Sequence, residues 1–199
     1  MIMVDGKVSP FSGLKSRTPL GGKIGHVKVG VRPVDPVLVE RISGRLGELK
    51  EKGVDLPDPA SLAIRSVDGF YFFPSLSDLS RGDQEKVISV INYDPVRRTF
   101  LLSRDGEPNE IMELFWFGFE TFPTDMVLLY LPFEYGNGLN PPEDTGSRIN
   151  LNIGIMKEWK DSRLLEHSTG IYWRGEGLDP LLEYLRTYHA GRSRDHRSQ

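Results

Sequence analysis

The sequence predicts one α/β domain. Three observations carry that expectation. Val39, Ile42, Leu46 and Leu49 recur at three- and four-residue steps, the spacing of one buried helical stripe. Ser61–Ser66 and Gly69–Phe73 are short β-prone runs joined through Val67-Asp68-Gly69, the signature of an antiparallel hairpin. Met126 to Leu131 is continuously apolar, as a strand covered on both faces must be.

The elements follow in order. Residues 1–34 hold six glycines and short β-prone pieces such as Gly25 to Arg32, which predict extended or hairpin-like structure laid over the body. Asp35 and Pro36 open the first helix, as a capping acid followed by a first-turn proline, and Gly53 closes it. After the hairpin, Ser77 to Glu85 reads as a short helix. Lys86–Tyr93 and Thr99–Ser103 read as strands about the turn at Asp94-Pro95. Asn109 caps a helix over Glu110–Thr121, whose aromatic interior requires burial on more than one side. Phe133–Arg148 is a long loop, Ile149–Met156 one alternating strand, Gly170–Trp173 another, and Leu178–Tyr188 the last helix.

The totals exclude several functions. The 199 residues hold no cysteine, so there is no disulfide framework, thiolate metal knot or cysteine nucleophile. No apolar run approaches the roughly 18–20 residues that span a bilayer, and the start lacks the basic-then-apolar order of a secretory signal. A cytoplasmic protein without membrane contact is therefore expected. The net charge of −3 names no partner. It is uneven, however: residues 1–34 and 189–199 are basic and the body between them is acidic. Solvated ends explain this, and nucleic acid is not the expected partner, because aromatic side chains do not alternate with the basic ones. An interaction module working through the basic ends stays open as a third reading. Gly21-Gly-Lys-Ile-Gly25 lacks the spacing of a phosphate loop.

Four segments in this order resemble the class II aldolase/adducin family. They are Ser61-Leu-Ala-Ile-Arg65 with Asp68 to Ser75; Gly106-Glu-Pro-Asn109 with the aromatic helix and Pro123; the strand Met126–Leu131; and Ser168 to Gly175 with the last helix. They span roughly residues 35–188, between a Gly-rich basic extension (1–34) and a basic tail (189–199). The resemblance implies a single three-layer α/β/α domain with a central mixed, largely antiparallel sheet. It also implies a homo-oligomer, commonly a tetramer, with the site between subunits.

The family's most specific residues are replaced. Its Asn-x-Ser-x-Arg reads Ser61, Ala63, Arg65, and its Thr-Pro-Ser-Gly reads Phe73-Pro74-Ser75-Leu76. Ile111 and Phe115 stand at the catalytic glutamate and the following histidine. Tyr130 and Pro132 stand at its His-x-His zinc pair, and Thr169 at the third histidine. Tyrosine, proline and threonine do not replace three imidazoles around zinc, so no metal and no cofactor are expected.

The resemblance therefore implies a degenerate domain that binds a ligand or assembles without catalysis. Arg65, Ser75, Asn109 and Thr169 are its ligand-binding candidates. An enzyme of the aldolase or epimerase type, a lyase or isomerase acting on a sugar phosphate with relocated residues, is the alternative. For that reading Glu110, His167 and Tyr130 are the catalytic candidates, with Arg65 beside them. Each also has a structural explanation: Glu110 as a first-turn acid facing the helix dipole, Asn109 as a cap, Arg65 in an ion pair, Tyr130 as packing and His167 as a hydrogen-bonded half-buried residue. Glu134, Asn137, Asn140, Glu143 and Asp144 supply oxygens on the long loop, without the spacing of a calcium site. Trp116, Trp159 and Trp173 read as core or subunit-contact residues.

Overall fold

The structure is a computed structural model. It describes residues 3–4, 7–8, 23–29, 34–54, 56–81, 86–103, 106–132, 148–151, 154–158, 163–167 and 170–195. Met3–Val4 (β1) and Lys7–Val8 (β2) form a small antiparallel ribbon. The main sheet contains Gly25–Lys28 (β3), Ser61–Ser66 (β4), Gly69–Phe73 (β5), Ile88–Asp94 (β6), Thr99–Leu102 (β7), Val127–Pro132 (β8), Arg148–Leu151 (β9), Gly154–Glu158 (β10), Leu164–His167 (β11) and Gly170–Gly175 (β12). Their spatial order is β3-β7-β6-β5-β4-β8-β12-β11-β10-β9. Only the edge pair β3–β7 is parallel; every other pairing is antiparallel. The helices are Pro36–Glu51 (α1), Leu76–Ser80 (α2), Glu110–Thr121 (α3) and Leu178–Asp195 (α4).

Helices cover both faces, which gives three layers. One core joins Val39, Ile42, Leu46 and Leu49 of α1, Leu76 and Leu79 of α2, and Leu181, Leu182 and Leu185 of α4 to Leu62, Ile64, Leu129 and Trp173 of the sheet. The other joins Met112, Phe115 and Phe119 of α3 to Phe70, Phe72, Val90, Phe100, Tyr130 and Tyr172. Each fully buried side chain of this size contributes about 1.5–3 kcal/mol by leaving water. The central strand β8 carries both periods at once: Val127, Leu129 and Leu131 face one core, Leu128 and Tyr130 the other. That two-sided burial is why its sequence is uniformly apolar.

Local chemistry sets the ends of the elements. The Asp35 carboxylate accepts from the Val37 amide at 3.0 Å, with Pro36 in the first turn. Gly53 takes φ +78°, and the Val54 amide donates to the Leu49 carbonyl at 3.0 Å. The β4–β5 turn needs a glycine at Gly69, where φ is +132° and an added Cβ would lie 2.0 Å from the Val90 carbonyl oxygen.

Five features differ from the sequence reading. Ile149–Met156 is not one strand: β9 ends at Leu151 and β10 begins at Gly154, antiparallel to it, so an alternating run hides a reversal. Strand β11 has only four residues, too few for its period to show beforehand. Helix α4 continues to Asp195, well into the segment read as a tail. Residues 25–28 do not lie over the body but extend the sheet beside β7. The second helix, expected over Ser77–Glu85, is described as Leu76–Ser80; 82–85 lie outside the described residues, as do the 133–147 loop with its acids and Trp159.

Candidate functional site at one end of the sheet

Register brings most of the sequence candidates to one end of the sheet. Strand β8 finishes there with Tyr130-Leu131-Pro132. On one side Ser61 opens β4 opposite Tyr130. On the other, β12 places Tyr172 opposite Tyr130 and Gly170 opposite Pro132. Strand β11 ends at His167, the partner of Gly170. Strand β5 leaves the sheet at the same end: the Ser61 hydroxyl donates to the Pro74 carbonyl at 2.9 Å, and Ser75 follows. Helix α3 starts here with Asn109 and Glu110. Thr169 lies between His167 and Gly170, outside the described residues.

The centre of this corner is aromatic. Tyr130 is buried, and its ring packs on Tyr172 at 4.8 Å between centroids. Tyr172 in turn meets Phe115 edge-on at 6.0 Å and the His167 imidazole at 6.4 Å. A Cβ added at Gly170 would lie 2.4 Å from Cε2 of Tyr130 and 2.5 Å from the Leu131 carbonyl oxygen. The tyrosine ring therefore lies directly over the glycine backbone. This donor set does not fit a zinc ion, which takes imidazole, thiolate or carboxylate ligands converging on a point. Among the described residues no three such side chains cluster anywhere.

The polar groups around the corner have definite tasks. The Asn109 carboxamide oxygen accepts from the Met112 amide at 3.0 Å, capping α3 as its sequence position suggests. The Ser75 hydroxyl accepts from the Asp78 amide at 3.2 Å and lies 3.0 Å from the Ser77 hydroxyl, so it caps α2. Glu110 is exposed in the first turn of α3. His167 is half-buried; desolvation lowers its pKa, and the charge of Glu110 pulls it back up. A lowered pKa keeps the imidazole neutral near pH 7, the form that accepts a proton.

Arg65 stands apart. It sits four residues along β4 from Ser61, about 13 Å at the rise of an extended strand. Its guanidinium donates to the carbonyls of Asp125 (2.8 Å), Phe119 (2.7 Å) and Phe122 (3.1 Å) and lies over the Phe119 ring. At that opposite end it fastens the α3–β8 turn to the sheet. Arg174 helps, with an ion pair to Asp125 at 3.1 Å and its guanidinium over Phe122.

One cluster has no counterpart in the sequence reading. Glu113, 1% exposed, accepts from the Tyr93 hydroxyl and from Arg98 at 2.9 Å (Nε) and 2.5 Å (Nη2). Burial and the bond to Glu113 raise the Tyr93 pKa, and the same carboxylate raises that of Arg98. Arg98 reaches it from the left-handed region, at φ +48°. The available signal was an acid flanked by Met112 and Leu114 on the apolar side of an aromatic helix.

Fold and site together define a three-layer α/β domain whose strand ends meet in an aromatic corner edged by a helix N-terminus and a histidine. Comparison with family models and with curated proteins gives no match.

Proposed function

We propose that this chain is a class II aldolase/adducin-like domain without the zinc and phosphate sites, working by binding a ligand or another subunit rather than by catalysis. The observation that carries the reading is the strand register at the corner. The resemblance sets Tyr130, Pro132 and Thr169 where imidazoles would converge. Tyr130 and Pro132 are alternate residues of β8, and Gly170, next to Thr169, is the partner of Pro132. The pairing of Gly170 with Pro132 puts the segment after His167 beside the end of β8, as the family reading requires. The chemistry of these positions supports loss of the metal: a buried phenol and a proline cannot hold a divalent ion. Phe73 in the Thr-Pro-Ser-Gly position, with Ser75 engaged in capping α2, supports loss of the phosphate wall. Metal analysis of protein purified without chelators tests this. Substoichiometric zinc is expected; one zinc per chain held by side chains would overturn it.

One observation favours a second reading, an enzyme with relocated residues. Glu110 is exposed, His167 is half-buried, and the two are close enough for the carboxylate to raise the imidazole pKa. A neutral histidine beside a carboxylate is a serviceable proton acceptor. Turnover of a sugar phosphate that disappears in both His167→Gln and Glu110→Gln would favour this reading over the first. Turnover indifferent to both would remove it.

A further inference from the structure

An open depression lies at the opposite end of the sheet, on the α1/α4 face. Its volume is about 500 Å³, within the range of small-molecule sites. Leu38, Ile64, Met126, Val127 and Leu178 give it an apolar lining, and Met126 is 41% exposed there. Four charged residues edge it: Arg41 and Arg45, one turn apart on α1, and Glu176 and Asp179 at the start of α4. Arg45 and Asp179 satisfy one another at 2.7 Å and tie the two helices together. Among the described residues, neither the Arg41 nor the Glu176 side chain has a hydrogen bond or ion pair. The cleft therefore keeps one unengaged cation and one unengaged anion around an apolar lining.

We propose that this cleft binds a small zwitterion with an apolar body: an aliphatic α-amino acid or the corresponding dipeptide. The Arg41 guanidinium takes the carboxylate through its planar fork, Glu176 takes the ammonium, and the aliphatic side chain covers Met126 and its neighbours. A simple anion would leave Glu176 facing it, and a simple cation would meet Arg41. A molecule carrying both charges complements the pair. The site is separate from the aromatic corner, so its fate does not depend on the reading given there.

The test is an amide NMR titration of the whole chain with leucine and with leucyl-leucine. Two analogues that each lack one charge, 4-methylpentanoate and 3-methylbutylamine, serve as comparisons. Saturable shifts at residues 126–127 and 177–179 are expected, with each analogue weaker than leucine by about tenfold. Arg41→Ala should erase the preference for leucine over the amine, and Glu176→Gln the preference over the acid. Both side chains are exposed and make no bonds, so both variants should fold, with unchanged melting temperature as the check. No saturable shift with either zwitterion would overturn the proposal, as would 4-methylpentanoate binding as tightly as leucine, or shifts indifferent to both substitutions.

Discussion

Replacing Glu113 by alanine should be the most damaging single truncation of a polar side chain in the α3 layer. Glu113 is 1% exposed and Arg98 16%, so the pair sits where water cannot replace a lost partner. The variant takes the shared carboxylate away from the Arg98 guanidinium and the Tyr93 hydroxyl. Breaking a buried pair by removing one partner costs about 3–5 kcal/mol. For a chain of this size each kcal/mol moves the melting temperature by about 2–4 °C, so a fall of roughly 6–20 °C is expected. Urea denaturation followed by circular dichroism measures the free energy, and calorimetry the melting temperature. A triple variant, Tyr93→Phe with Arg98→Met and Glu113→Leu, separates the net worth of the cluster from the penalty of breaking it. It should recover most of the loss, because well-packed apolar replacements of buried ion pairs are often neutral or better. A loss below about 1 kcal/mol for Glu113→Ala would refute the reasoning, since it would mean that Arg98 finds water or another acid.

Other perturbations probe the strand ends and the histidine. Gly170→Ala would drive a methyl into the Tyr130 ring and the Leu131 carbonyl, and should cost about 1–3 kcal/mol in urea denaturation. Gly69→Ala should cost at least as much, since both φ and the Val90 carbonyl oppose a side chain there. The His167 imidazole should titrate below the ordinary value of about 6.5 in a proton NMR experiment, and Glu110→Gln should lower it further by removing the carboxylate that opposes desolvation. Because the folded pKa is the lower one, the unfolded chain takes up the proton first. The His167 contribution is therefore intact above about pH 6.5 and is lost as pH falls through the folded value. His167→Gln should flatten that part of the stability profile.

Much of the frame was legible because its signals are local. Asp35 and Asn109 cap the helices they precede, Gly53 ends α1, and Asp68-Gly69 turns β4 into β5. The long two-sided burial of β8 announced the middle of the sheet. The β9–β10 reversal was not legible, because a hairpin between short strands can keep one alternating pattern running across its turn. Nor was the extent of α4, whose polar last turns lack an apolar stripe. For the corner, the family resemblance named Tyr130, His167 and Glu110 as candidates. What it lacked was the register that sets Tyr172 opposite Tyr130, and the contact that gives His167 an aromatic wall. The Glu113–Arg98–Tyr93 cluster joins α3 to both sides of the β6–β7 turn, and the Arg41–Glu176 cleft joins α1 to the segment before α4. No spacing rule reaches such pairs.

Zinc affinity of a variant with Tyr130→His, Pro132→His and Thr169→His, set against the unaltered chain, is the most direct probe of the corner. If those three positions converge as the resemblance implies, the variant should take up one zinc per chain while the unaltered protein takes up none. Stoichiometric zinc in the unaltered chain, or a folded triple variant that gains no affinity, would contradict the account.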